Sequence, residues 1–245
     1  MTQGFIPSGL SEKTPFNMIT GAGALFFNIP YDDVTSTTTK SEFAAKLQAA
    51  QINADGSLPN VGTALGGTSG GCTVTLTGSF RDIEIDDLTQ SMAGTTIQDG
   101  WETATISTTA VEAVLEKIQQ VMNTSSIDPV DGSLRFGSKL LPEHFDNEIT
   151  LAVRTIGDNL LVFRLKGAIN RAGFTLTTTS GGEGSYPVEF HGHLKTLEDI
   201  QAGFAPLRVY EFSENGAIIG TGLGGAVPFA AATDYKSRGA SKKAS

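Results

Sequence analysis

The sequence contains a single cysteine, Cys72, among its 245 residues, so no disulfide bond can form within the chain. Cys72 alternates with Val74 and Leu76, and this spacing predicts a small buried side chain rather than a reactive thiol. The chain also lacks a basic start followed by an apolar run, and no apolar run approaches the ~20 residues of a membrane helix. We therefore expect a soluble protein that is made in a cytoplasm and has no membrane partner.

Basic side chains are in the minority, since 17 Lys and Arg residues face 26 Asp and Glu residues and the formal net charge is −9. This balance argues against a protein that binds nucleic acid by neutralising its phosphates. Residues 234–245 reverse the balance, with four basic side chains and one acid. We expect this end to be a mobile basic tail that closes a C-terminal extension over residues 213–245.

Sequence signatures of catalysis and cofactor binding are sparse. Gly67–Gly71 matches the pattern G-x-S-x-G, but a nucleophile elbow needs a strand before it and a helix after it. Here a loop is expected before the pattern and a strand after it. Gly220–Gly225 matches the dinucleotide pattern G-x-G-x-x-G, yet Pro228 blocks the helix that would have to follow. Neither match predicts a site.

Two clusters of polar side chains also resemble chemical sites. Glu189, His191 and His193 share one face of a predicted strand and could bind a metal, although a solvated strand gives the same pattern. Residues 82–87 form an acidic segment, but a carboxylate-pair hydrolase needs a second acid across a cleft. We predict no catalytic, cofactor-binding or metal-binding residue, and no cofactor.

The abundant residues favour a mainly β fold. The 29 glycines and several threonine runs are typical of strands joined by many turns. The clearest alternation of apolar and polar residues lies between Tyr186 and Lys195, and a Gly-rich turn at 180–185 predicts a hairpin with residues 174–179. The further predicted strands are 22–29, 72–77, 101–107, 148–154, 159–166 and 207–212.

Two capping boxes predict helices. The first, Thr39–Glu42, opens a short helix with Phe43 and Leu47 on one face. The second, Thr109–Glu112, opens a helix over about 109–123, whose apolar residues follow helical spacing. We expect this second helix to lie with its apolar stripe on a sheet.

The remaining signals concern a loop and a bulge. Residues 53–71 are rich in Gly, Ser and Asn, and so long a loop is usually functional or disordered. The apolar parity changes after Phe80, which predicts a β-bulge near Arg81 and Asp82. Together these signals predict one β domain over residues 1–212, with an extended N-terminal arm at 1–16 and a loop insert at about 41–71.

The order of these elements carries a resemblance that covers roughly residues 14–212. It rests on the segment Phe80-Arg-Asp-Ile-Glu-Ile-Asp86, the strand that begins at Trp101, the helix at 109–123, and the strand Pro187–His193 that leads to Pro206–Tyr210. In this order and with these segments, the chain resembles the major tail tube protein of long, non-contractile-tailed bacteriophages.

The resemblance implies a β-sandwich or barrel with one flanking helix that assembles as hexameric rings. The rings would stack into a hollow tube that conducts the DNA genome to the host without binding it specifically. It implies as partners further copies of the chain, a tape-measure protein, a tail terminator and tail-tip or baseplate proteins. The protein would belong to the tail of the virion and would occupy the host cytoplasm during assembly.

The lumens of this family are typically acidic, and a like-charged wall repels DNA phosphates. From this we expect four acidic side chains to face the lumen: Glu84, Asp86, Asp87 and Glu189. We expect the loop insert to reach the adjacent ring, with these residues as candidates for stacking contacts: Asn53, Asp55, Leu58, Asn60 and Leu65.

Three other interpretations remain open from the sequence. The chain could be a tube subunit of a contractile tail or of a type VI-like apparatus. It could instead be a β-sandwich binding or adhesion module, which would not polymerise lengthwise. An enzyme would need a pocket that unites Asp82 or Glu84 with a distant acid.

Overall fold

The computed structural model describes these parts of the chain: residues 16–50, 62–83, 96–178, 180 and 182–217. Antiparallel strands dominate them, which confirms the predicted mainly β fold with a flanking helix. Almost all of the predicted N-terminal arm and the chain after residue 217 lie outside these ranges.

The strands are β1 (Ile19–Phe27), β2 (Thr63–Ala64), β3 (Thr68–Asp82), β4 (Thr96–Ala110), β5 (Ser125–Ile127), β6 (Leu134–Phe136), β7 (Ile149–Thr155), β8 (Leu160–Leu165), β9 (Ile169–Asn170), β10 (Tyr186–His191), β11 (Leu207–Ser213) and β12 (Gly216–Ala217). The helices are α1 (Lys40–Ala49), α2 (Leu115–Val121) and α3 (Leu197–Gln201), with a 3-10 turn at Pro142–Asp146.

Two sheets pack face to face. The large sheet has six strands in the order β12-β11-β8-β7-β1-β2, and the small sheet has four in the order β3-β4-β10-β9. Strands β5 and β6 form a separate hairpin. Every predicted strand segment except 174–179 falls within or overlaps one of these strands.

The main core lies between the two sheets. The ring of Phe27, from the large sheet, packs edge-on against Phe190, from the small sheet, with their centroids 5.6 Å apart. On β10, Tyr186, Val188 and Phe190 are buried, whereas Glu189 between them is only half-buried. The period-two alternation of the sequence therefore marks the face that the small sheet turns to the core, as predicted.

Helix α1 covers the opposite face of the large sheet and forms a second core there. Phe43 and Leu47 are buried, and the Phe43 ring stacks on Phe212 with a centroid distance of 4.5 Å. The predicted capping box is present, because the Thr39 hydroxyl accepts from the Glu42 backbone and the Glu42 carboxylate accepts from the Thr39 backbone. The flanking helix is thus α1.

The predicted helix at 109–123 is wrong over its first half. Thr109 belongs to β4, and the helix α2 begins only at Leu115. The Glu112 carboxylate accepts a hydrogen bond from the backbone N–H of Gly67 (3.1 Å) instead of closing a capping box. Pairing with β10 holds this segment extended, since Ala110 lies opposite Tyr186, and tertiary pairing overrides the local signal.

Three further predictions need correction. Residues 174–178 form no strand, and the pairing described between them and the following segment is one isolated bridge between Thr177 and Ser185. The predicted loop 53–71 already contains β2 and the start of β3 in its described part. The predicted β-bulge near Arg81 and Asp82 is present directly before Arg81, between Ser79 and Phe80, but its extra residue lies on β4 rather than on β3.

Candidate functional site

The hairpin of β3 and β4 extends well beyond the sandwich. Both strands have 15 residues, but β10 pairs only with residues 105–110 of β4. The outer part of the hairpin, residues 77–83 and 96–102, is called the arm below. Every arm residue is exposed except the two half-buried glycines Gly78 and Gly100. No other described strand covers either face of the arm.

One face of the arm is apolar. Gly78 lies opposite Trp101, and Phe80 lies opposite Gln98, so these four residues share a face. A Cβ atom on Gly78 would meet the Phe80 ring at 3.0 Å, which shows that the ring folds over the glycine backbone. Phe80 is nevertheless 65% exposed and Trp101 is 40% exposed. Large apolar side chains are thus presented to solvent on a projecting element.

A groove lies at the base of the arm, beside helix α3. Its volume is about 500 Å³, and its apolar lining includes Trp101, Ile200 and Phe204. The Trp101 indole N–H donates to the carbonyl oxygen of Gly203 (3.2 Å), which ties the arm base to the segment after α3. Ile200 and Phe204 are 53% and 59% exposed, so the described residues leave the groove open. This feature is called the α3 groove below.

The wall of the α3 groove carries charges of both signs, because its lining includes Asp99 and Glu102 as well as one arginine. Arg171 lies in its lining, and its guanidinium contacts His193 Nε2 at 3.0 Å. The other ring nitrogen of His193 lies 3.0 Å from the carbonyl oxygen of Gly167, which holds the imidazole in place. Arg171 has no ion pair with a carboxylate in the described residues.

The face of the small sheet that points away from the core is lined with hydroxyl groups. Cross-strand pairs on this face join Thr73 to Ser107, Thr75 to Thr105 and Thr77 to Thr103. Glu189 and His191 share the face, and the Glu189 carboxylate lies 3.0 Å from His191 Nε2. Glu189 is therefore on the solvent side of the small sheet, beside an imidazole that compensates its charge when protonated.

The other predicted site residues are only partly described. The lumen-facing candidates Glu84, Asp86 and Asp87 lie outside the described residues, as do the stacking candidates Asn53, Asp55, Leu58 and Asn60. Leu65 is described and is fully buried in the core of its own chain. Its side chain has no surface to offer another ring, so its assignment to a stacking contact is corrected.

Among the described residues, the structure does not bring the histidine cluster of the sequence together as a metal site. His193 faces Arg171 and Gly167, whereas His191 pairs with Glu189, so the three side chains do not converge. Within the described ranges no group of three or more His, Cys, Asp or Glu residues could hold a metal ion. Ser69, in the G-x-S-x-G pattern, pairs with Thr109 inside the β3–β4 ladder rather than standing at an elbow.

Sequence reasoning missed the α3 groove and one buried amine. Lys117 is fully buried, and its Nζ has no hydrogen-bond partner among the described residues. Burial lowers the pKa of this amine, while the charge of Glu112 opposes the shift. The sequence did contain a signal for the burial of Lys117. It lies three residues after Val114 and four before Val121, and this helical spacing places it on the apolar stripe that was predicted to face the interior.

Comparison of the sequence with models of known protein families gives no match, and comparison with curated proteins gives no significant match. Among the described helices, none has the length and apolar character that crossing a membrane requires. A function is therefore inferred from three features of the structure. They are the arm, the α3 groove, and the free edge of the small sheet, where β3 is the outermost of the four strands.

Proposed function

We propose that the protein is the subunit of a bacteriophage tail tube, which polymerises as stacked hexameric rings around a lumen that conducts DNA. The observation that carries this proposal is the free edge of the small sheet. Strand β3 lies at that edge along all 15 of its residues. Its outer backbone groups face no other strand of the described residues, and such an edge is a template for pairing with another chain.

Most of β3 is open to this pairing, but a bulge at Gly70 and Gly71 interrupts the edge near the start of the strand. From Thr68 to Phe80 it contains no charged residue and no proline, which are the residues that natural proteins use to protect an edge. The opposite edge is also incomplete, because β9 pairs with only two residues of β10. An edge of one copy that pairs with the opposite edge of the next is a heterologous contact, and such a contact gives a ring when the rotation between successive copies completes a circle.

Ring closure by the small sheets would place the hydroxyl-lined face towards the lumen, since the other face packs on the large sheet. Thr73 and Thr75 are exposed, Ser107 is half-buried, and none of the three carries a charge, so phosphates that slide past them find no cation to bind. Glu189 lies on this face, in agreement with its proposed lumenal role. The acidic contribution of Glu84, Asp86 and Asp87 stays a prediction.

The same edge would serve a tube subunit of a contractile tail or of a type VI-like apparatus. A sheath gene beside the gene for this chain would identify that case, whereas a tape-measure gene without a sheath gene favours the non-contractile tail. In either case the partners are further copies of the chain, a terminator and a tip or baseplate complex.

Hydrogen–deuterium exchange on dilute and concentrated protein tests the edge pairing directly. On assembly we expect the outward amides of β3 to become protected, because they gain carbonyl partners. The β5–β6 hairpin, which is not part of the small sheet, should keep its exchange rate and is the internal control. Assembly without protection of β3 would reject the edge pairing, and exchange that never changes with concentration or with an added tail-tip complex would reject the function.

A further inference from the structure

We propose that Asn123 and helix α2 close the receiving edge of the small sheet in the free subunit, and that they move away when strand β3 of the next copy pairs there. The inference rests on the proposed function, because it names how that same edge pairing is held back before assembly. Residues 115–127, which comprise α2, Asn123 and strand β5, are called the latch below.

Strand β9 is the outermost strand on the receiving side of the small sheet. Neighbouring strands of this sheet run in opposite directions, so β3 of a copy in the same orientation would lie antiparallel to β9. The backbone of Ile169 faces β10, because Arg171, two residues on, donates its backbone N–H to the Glu189 carbonyl oxygen (2.9 Å). The backbone groups of Ala168 and Asn170 therefore face outward, where an incoming strand would need them.

Asn123 occupies these outward groups with its side-chain amide. Its Nδ2 donates to the carbonyl oxygen of Ala168 (3.1 Å), and its Oδ1 accepts from the backbone N–H of Asn170 (2.9 Å). A side-chain amide has a carbonyl oxygen and N–H donors, as a peptide group has, so it can take the place of a strand residue. The backbone N–H of Ala168 is also taken, by the carbonyl oxygen of Asn147 (2.8 Å). The chain itself thus closes the receiving edge.

The latch is weakly held to the rest of the fold. Of its side chains, only Val121 belongs to the main core. A cavity of about 310 Å³ lies between the latch and the ends of β1 and β7, with Gln120 and Asn123 on one side and Asn28 and Asn147 on the other. Close packing normally fixes an element in its place, and the lining of a cavity loses those contacts.

Two polar groups in the latch favour its displacement. The Lys117 amine and the side-chain oxygen of Gln120 are buried and have no hydrogen-bond partner among the described residues. Both would regain water as a partner when the latch moves out, and this gain offsets part of the cost of breaking the Asn123 hydrogen bonds. The receiving edge is therefore closed by a contact that a pairing strand can replace.

The latch makes the affinity of one copy for the next depend on the fraction of copies whose receiving edge is open. Two uncovered edges on every copy would promote pairing at any concentration. A closed receiving edge limits this pairing while the subunits are free.

Two substitutions with opposite expected effects test the latch. Asn123→Leu keeps roughly the size of the side chain and removes both hydrogen bonds to the β9 edge. The concentration needed for assembly should fall at least ~10-fold, since each hydrogen bond favours the closed state by roughly a factor of five. Lys117→Met removes the unpartnered amine and stabilises the closed latch, so this concentration should rise ~5-fold. Light scattering over a dilution series measures both changes.

Thermal unfolding of the same proteins separates a latch from a purely structural role. Asn123→Leu should unfold at a lower temperature than the wild-type protein although it assembles more readily. Lys117→Met should unfold at a higher temperature although it assembles less readily. Side chains that only stabilise the subunit would change stability and assembly in the same direction, and that result would overturn the proposal.

Each substitution has a matched control that should leave assembly unchanged. Thr124→Val removes the hydrogen bond from the neighbouring hydroxyl to the carbonyl oxygen of Gly137 (3.0 Å), which lies beside β6 and not at β9. Lys139→Met removes an exposed amine. If Thr124→Val promotes assembly as strongly as Asn123→Leu, general loosening explains the effect and the latch is overturned.

Hydrogen–deuterium exchange separates the latch from the function on which it rests. The amides of Ile118 and Met122 are bonded within the latch of the free subunit, and they should exchange faster in assembled tubes. Wild-type tubes in which these amides exchange as slowly as in the free subunit would overturn the latch and leave the tube function standing. Oligomers of Asn123→Leu with a protected β3, faster exchange in α2 and no tube would support the latch and reject the function.

Discussion

Lys117, on helix α2, places an amine in the protein interior without a hydrogen-bond partner among the described residues. The side-chain oxygen of Gln120, one turn further on, is also buried and unpartnered there. A buried polar group without a partner costs free energy, and a charged one costs more. An apolar side chain at position 117 would avoid this cost, so we expect it to make the folded protein more stable.

Replacing this lysine tests that cost. Lys117→Met keeps the length of the side chain and removes the amine, so we expect the free energy of unfolding to rise by about 1–3 kcal/mol. Chemical denaturation of the variant and of the wild-type protein would measure this change in the free energy of unfolding. Lys139→Met removes an exposed amine and is the control that should change stability little. A destabilised Lys117→Met would show that the amine has a favourable role in the folded state.

The stability difference should also depend on pH. Burial lowers the pKa of Lys117 in the folded state below its value in the unfolded chain. Below its folded-state pKa, the amine is charged in both the folded and the unfolded chain. The full cost of burying the charge then lowers the stability of the wild-type protein. Between the two pKa values the unfolded chain binds more protons, so wild-type stability rises with pH relative to Lys117→Met. Unfolding curves from neutral to alkaline pH should show that the difference in unfolding free energy between Lys117→Met and the wild-type protein becomes smaller. A difference that stays constant or grows would contradict a lowered pKa for Lys117.

At the scale of elements, a capping box closes the start of helix α1, which packs on the large sheet through Phe43. Thr39→Ala removes the side-chain acceptor of the capping box, and we expect the protein to lose about 1 kcal/mol of stability. Ser36→Ala, in the exposed turn before the helix, is the matched control. Equal melting temperatures for the two variants would show that packing of Phe43 alone fixes the helix.

The two capping boxes show how far local sequence determines an element. Thr39–Glu42 and Thr109–Glu112 have the same pattern, yet only the first caps a helix. The second lies where β4 pairs with β10, a contact about 75 residues away in sequence that no local pattern reveals. Alternation predicted the strands that share this long-range pairing, but not which strand lies beside which.

The exposed surfaces also depend partly on contacts between distant segments, which local sequence does not reveal. Trp101 lies about 100 residues before Ile200 and Phe204 in the sequence, and only the fold brings it to the same groove. The exposure of the apolar face of the arm was not predictable either, because alternation marks an apolar face without showing whether another element covers it. Glu189, in contrast, was correctly assigned to the polar face from the alternation of β10 alone.

At the scale of the whole molecule, the hydroxyl-lined face gives the tube account a test in intact virions. Thr75→Lys would add one cation per subunit to the proposed lumen wall, and we expect DNA ejection in vitro to slow several-fold at low salt and recover as salt rises. Ser126→Lys adds the same charge on the exposed hairpin strand β5 and should eject normally. Equal ejection rates would place Thr75 away from the DNA path.

The central claim is that the chain builds a hollow tube from copies of itself. Negative-stain electron microscopy of the purified protein over a range of concentrations, with and without a tail-tip complex, tests this most directly. The account predicts stacked rings or tubes of uniform width with a stain-filled lumen, which become longer as the concentration rises. Discrete particles in every condition, including with the tail-tip complex, would contradict it and would favour a binding module.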